Sequence, residues 1–145
     1  MDSIIFDLDG TLWDSRKEIA IAWNQVIKEY DELDEITVDD LTGMMGLQLD
    51  EIGRKLFPTL SEEQRKEVLQ KCIEVENQYI EENGGQPYRK LEEVLDALSK
   101  QYKLYIVSNC QEGYIEAFSK YHNLGHYFLD FENPGRTGLT KGEKF

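Results

Sequence analysis

The chain has 145 residues, enough for one ordinary domain or two small ones, and 40% hydrophobic with 31% charged residues is a globular balance. A net charge of −13, from 16 basic and 29 acidic residues, argues against a nucleic-acid or anionic-membrane partner, and any phosphate site has to be locally positive. Cys72 and Cys110 are too few for a disulfide framework. With no basic leader and no apolar run of transmembrane length, a reducing cytoplasm is the expected compartment.

The first segment, Ile4-Ile5-Phe6, is β-branched and aromatic, the pattern of a buried strand. It runs into Asp7-Leu8-Asp9-Gly10-Thr11-Leu12. Alternation along an extended chain aims Asp7 and Asp9 to one side. Two carboxylates at the end of a buried strand are costly unless a cation or a reaction needs them. A calcium-binding loop is excluded, because Leu12 stands where that loop needs glycine and a strand precedes it rather than a helix.

Ser15 and Glu18 have capping-box spacing, and Ile19, Trp23, Val26, Ile27 and Tyr30 follow at helical intervals, which predicts a helix over 16–31. Thr37 with Asp40 opens a short second helix that ends near Gly43-Met44-Met45-Gly46. A third runs from about Leu49 to Phe57, before Pro58. Ser61 and Gln64 cap a long fourth, which Gly84-Gly85 ends. Residues 16–83 therefore hold no convincing strand.

Beyond them the chain alternates. A helix carries Leu91, Leu95 and Leu98, a strand spans 103–108, a helix carries Tyr114, Ile115 and Phe118, and a short strand spans 127–131. That order implies a parallel sheet with right-handed crossovers. The glycine-rich tail from Asn133 reads as loop, and His122 and His126, with no metal-ligand spacing, read as structural.

Asp7-Leu8-Asp9-Gly10-Thr11 resembles the first motif, D-x-D-G-T, of the haloacid-dehalogenase-like (HAD) phosphatases. Val107-Ser108-Asn109 resembles their second motif, and Lys141, in Gly138-Leu139-Thr140-Lys141-Gly142, their third-motif lysine. The helical block matches, in place and length, the α-helical cap of phosphoglycolate-phosphatase-like members, with Gly46 in the position of a substrate-facing loop. The resemblance implies a doubly wound α/β core over 1–15 and 84–145, strand order 3-2-1, and a helical cap over 16–83. It also implies Mg²⁺-dependent hydrolysis of a small phosphorylated metabolite.

In that scheme Asp7 attacks phosphorus and Asp9 moves the leaving-group proton. Lys141 screens charge, Gly10, Thr11, Ser108 and Asn109 hold the phosphoryl group, and Asp7 with the Asp9 backbone carbonyl holds the metal. The second aspartate favours phosphoryl transfer over dehalogenation, since an alkoxide leaving group needs a proton and a halide does not. A phosphomutase on the same scaffold remains open.

The fourth family motif, an acidic pair that completes the metal site, is absent after Lys141. The chain is therefore expected to be a shortened member with little activity by itself. A free edge on the first strand would then invite self-association, so a non-catalytic fragment is the other open reading.

Overall fold

The computed structural model describes residues 2–133. Three parallel strands form its main sheet: β1 (Ser3–Phe6), β4 (Lys103–Val107) and β5 (Asp130–Glu132), in the order β1-β4-β5. Ile4 pairs with Leu104 and Phe6 with Ile106, while Ile106 pairs in turn with Phe131. This is the expected order, with the first strand at one edge. The edge position explains why β1 is only half-buried, with Ile5 49% exposed, where the apolar run alone predicts burial.

Two short strands carry no periodicity and were not expected. They are β2 (Trp13–Asp14) and β3 (Gln86–Pro87), paired antiparallel. Between them lie α1 (Arg16–Ile27), α2 (Val38–Thr42), α3 (Leu49–Leu56) and α4 (Glu62–Asn83). The capping boxes at Thr37/Asp40 and Ser61/Gln64 form as read. The one at Ser15 does not: that hydroxyl makes no cap bond, because it is spent on Asp9. α1 also stops at Ile27, four residues short of the expected end.

After β3 come α5 (Leu91–Ser99) and, beyond β4, α6 (Tyr114–His122). The last strand lies later than 127–131, because Gly125–Tyr127 winds into a 3-10 turn. Among the described residues no helix is long and apolar enough to cross a membrane.

The buried side chains form two clusters. One sits on the sheet and holds Leu8, Trp13, Leu95, Leu104, Ile115 and Phe118; the other lies among α1–α4 and holds Trp23, Val26, Ile27, Phe57, Leu69 and Cys72. The 22 residues of α4 span about 33 Å at 1.5 Å per residue and connect the two. Val68, Leu69 and Cys72 belong to the helical cluster, Ile80 to the sheet cluster, and Glu76 falls between. Asn77 Nδ2 bonds to the Glu112 carbonyl at 3.0 Å and Lys120 pairs with Glu81, so α4 is docked beside α6.

Candidate active site

β1 and β4 are neighbouring parallel strands, so the residues just past their carboxyl ends meet. A crevice at that end is where open α/β sheets bind ligands. Asp7 follows β1 directly, and its Oδ1 accepts from the Leu8 amide at 2.9 Å. Ser108 follows β4, is buried, and its Oγ accepts from the Cys110 amide at 3.3 Å. Past Asp7 the chain turns sharply: Thr11 and Leu12 amides bond to the Leu8 carbonyl, and Gly10 N–H to that of Trp13. Gly10 sits at φ +76°, and a Cβ there would come within 2.8 Å of Met45 Cε. Glycine is thus required for its backbone, while the methionine tip, at the end of a flexible side chain, shows how closely the helical block approaches this turn.

Asp9 lies at the bottom of this turn. Its Oδ1 accepts from Trp13 Nε1 at 2.9 Å, Ser15 Oγ at 3.0 Å and Tyr114 Oη at 2.6 Å, while Oδ2 has no hydrogen-bond partner among the described residues. Burial pushes the Asp9 carboxyl up. The bonds from Tyr114, Trp13 and Ser15 pull it part of the way back, and the charge of Asp7 adds to the rise. The net direction is upward, towards the protonated form.

Asp7, Asp9, Gly10, Gly46, Ser108 and Asn109 all line one cavity of about 280 Å³, near the lower end of ligand-pocket sizes. Asn109 Nδ2 reaches the Gly46 carbonyl at 3.4 Å, joining the second motif to the helical block. Gly46 has φ +83° with open space where a side chain would be. Thr11 is exposed in the turn and is not among the lining residues; Lys141 lies outside the described residues.

The remaining lining includes Ser15, Tyr114 and Glu76, which sequence reading did not assign to a site. Ser15 and Tyr114 orient Asp9, as above. Glu76 is buried and its Oε2 accepts from Trp23 Nε1; burial raises its carboxyl, the indole bond lowers it and the charge of Asp9 raises it, which together push it up to about 8. A glutamate on the apolar stripe of a long helix was the available signal, since such a residue needs a partner or a task. Cys72 and Cys110 are no candidates for nucleophiles, because burial raises both thiols.

The magnesium ion that the D-x-D-G-T pattern implies wants hard oxygens, commonly one or two carboxylates with substrate and water completing the shell. Among the described residues no group of three or more His, Cys, Asp or Glu forms a cage. The Asp7 carboxylate fits such a sparse site. Asp9 Oδ1 does not, since three donors already occupy it; the Asp9 backbone carbonyl is the second ligand that the family resemblance implies.

The family model of haloacid dehalogenase-like hydrolases matches residues 4–131. A phosphoglycolate phosphatase from Aquifex aeolicus is 36% identical over 129 residues, covering 88% of this chain and 58% of that protein. One from Vibrio parahaemolyticus is 29% identical over 135 residues with the same two coverages. A solved haloacid dehalogenase-like family hydrolase from Streptococcus pneumoniae superposes with a TM-score of 0.71 at 26% identity, over 92% of this chain and 61% of that one. The chain thus spans 58% of the length of the curated relatives it matches.

Proposed function

The chain belongs to the haloacid dehalogenase-like hydrolases, and from that premise we propose that its site performs phosphomonoester hydrolysis through an aspartyl-phosphate. The observation that carries this reading is the asymmetry of the two aspartates. Asp7 stands at the strand end with its Oδ1 accepting from the Leu8 amide, whereas Asp9 is held by three side-chain donors and its carboxyl is raised towards the protonated form.

In the first step an Asp7 oxygen attacks phosphorus and the bond to the ester oxygen breaks. The departing alkoxide takes the proton from Asp9, so no free alkoxide is released. In the second step Asp9 removes a proton from water, which attacks the same phosphorus, and the acyl-phosphate bond breaks to return Asp7 and inorganic phosphate. Ser108 Oγ, Asn109 Nδ2 and amides of the turn after Asp7 are the donors for the phosphoryl oxygens. Mg²⁺, held by the Asp7 carboxylate and the Asp9 carbonyl, would supply positive charge against the phosphate, a role that Lys141 shares by its resemblance to the third-motif lysine.

We read residues 16–83 as the cap over this chemistry, with 1–15 and 84–145 as the core. Supporting that division are the separate helical cluster of buried side chains and the closeness of Met45 and Gly46 to Gly10 and Asn109. Among the relatives' names, phosphoglycolate is the substrate class that comes with the resemblance; the geometry of Asp7 and Asp9 requires only a phosphomonoester.

The test is phosphate release from a panel of phosphomonoesters with Mg²⁺. It is run on the 145-residue chain and on the chain extended with the sequence by which the relatives exceed it. Asp7→Asn is expected to abolish turnover in any active form, together with trapping of beryllium fluoride. Near-normal turnover of Asp7→Asn would sink the assignment of the nucleophile.

A further inference from the structure

The cavity has a second end that this chemistry leaves unused. Away from Asp7 and Ser108 the lining is apolar and comes from the helical block, with Ile19, Trp23, Leu41, Met44, Leu49 and Ile73. One polar group interrupts it. Glu76 lines the cavity at 8% exposure, its Oε2 is bonded to the Trp23 indole, and its Oε1 has no hydrogen-bond partner among the described residues. That oxygen is not among the fully buried atoms left without a partner, so it is open to the cavity and a ligand group can bond to it.

Charge decides which ligand group that can be. Arg16 is the only cation among the described lining residues. Its Nε and Nη2 are committed to Asp14 at 2.8 and 2.7 Å and its Nη1 to Thr42 Oγ1 at 2.7 Å. The other charged groups facing the cavity are Asp7, Asp9 and Glu76 itself. A carboxylate on the organic part of a substrate would enter apolar surroundings beside an acidic side chain, and among the described lining residues the one cation, Arg16, is already paired with Asp14. A hydroxyl meets no such obstacle, since it accepts from a protonated carboxyl and donates to an ionised one.

We propose that the helical end of the cavity is a subsite for an uncharged, mainly apolar organic group whose hydroxyl bonds to Glu76 Oε1. The phosphomonoester this chain takes then carries a neutral hydroxyalkyl group rather than a second anion, such as the carboxylate of 2-phosphoglycolate. The proposal rests on the reading of Asp7 and Ser108 as the phosphate-binding part of the cavity, which leaves the lining from the helical block for the organic group. The small volume, about 280 Å³, suits a phosphate with a short chain.

Calorimetric titration of the chain with Mg²⁺ and four probes tests it: butyl phosphate, 4-hydroxybutyl phosphate, 4-phosphonooxybutanoate and 2-phosphoglycolate. The hydroxy ester is expected to bind about tenfold tighter than either carboxylate and several-fold tighter than butyl phosphate. Glu76→Leu should erase the advantage over butyl phosphate, and Glu76→Gln, which keeps a donor and an acceptor, should retain it. Carboxylate probes that bind as tightly as the hydroxy ester overturn the proposal on the unaltered chain, whether or not a variant folds. An advantage that survives Glu76→Leu in a folded variant does so too. If no ester binds, both the subsite and the phosphate reading beneath it fall; if butyl phosphate binds and only the ranking fails, the phosphate reading stands.

Discussion

The floor and the roof of the cavity carry the same local arrangement, a buried carboxyl that accepts a hydrogen bond from an indole N–H. At the floor Trp13 donates to Asp9, and at the roof Trp23 donates to Glu76. The difference lies in what completes each carboxyl. Asp9 Oδ1 also receives Ser15 and Tyr114, so its orientation is fixed from three sides and only Oδ2 is left to act. Glu76 has the indole alone, in a more apolar setting. On the proposed reading the first presents a proton at one point, and the second is completed by the ligand.

The largest expected difference between the two is kinetic. In an active, extended form of the chain, Asp9→Asn should lower kcat on alkyl phosphates by about 10²–10⁴, the range of a lost general acid. Glu76→Gln should leave kcat within about threefold, and Glu76→Leu should act mainly on KM for hydroxyalkyl esters. Steady-state kinetics on the three variants decides, and equal losses in kcat at the two positions would break the distinction.

A second difference is thermodynamic. Glu76 binds its proton up to about pH 8 in the folded chain and only to about 4.5 when unfolded. Between those values the folded state holds the extra proton, so this group's contribution to stability is complete below about pH 4.5 and is lost as pH rises towards 8. Glu76→Gln cannot ionise. Urea titrations without metal should show the two proteins similar near pH 5, with the variant more stable by on the order of 3 kcal/mol above pH 8. A difference that does not change with pH would mean Glu76 is ionised in the folded chain throughout.

The smallest effect concerns the donors. Tyr114→Phe removes one of three bonds to Asp9 Oδ1 and should cost about 1 kcal/mol in urea unfolding. Trp23→Phe takes away the only hydrogen bond that Glu76 makes among the described residues, and is expected to cost more. The reverse order would show that the Asp9 cluster acts as one unit rather than three separable bonds.

What was legible in the sequence was what short stretches carry whole. The strand that leads into Asp7 and Asp9, the strand that leads into Ser108 and four of the helix starts follow from local pattern, and the strand order from the family resemblance. The partners of Asp9 and Glu76 do not. Tyr114 lies 105 residues from Asp9, and Glu76 lies 53 from Trp23, so each meeting depends on how α4 and α6 dock, which no local period encodes. Ser15 shows the same limit from the other side: its spacing to Glu18 is that of a helix cap, but tertiary structure offers its hydroxyl a carboxylate instead. β2 and β3 escaped because two-residue strands have no alternation to detect.

That short pairing has a consequence for how such a chain can change over time. Trp13–Asp14 leaves the sheet side and Gln86–Pro87 returns to it, and the two are zipped to each other. Everything between is therefore a closed excursion whose ends are already fastened, and the cost of closing it grows only slowly with its length. Residues can be added to it, removed from it or exchanged for another helical arrangement while the sheet, the turn that holds Asp9 and the serine at the end of β4 keep their register. Lineages that share this ground plan are free to diverge in what they recognise far faster than in what they do to it.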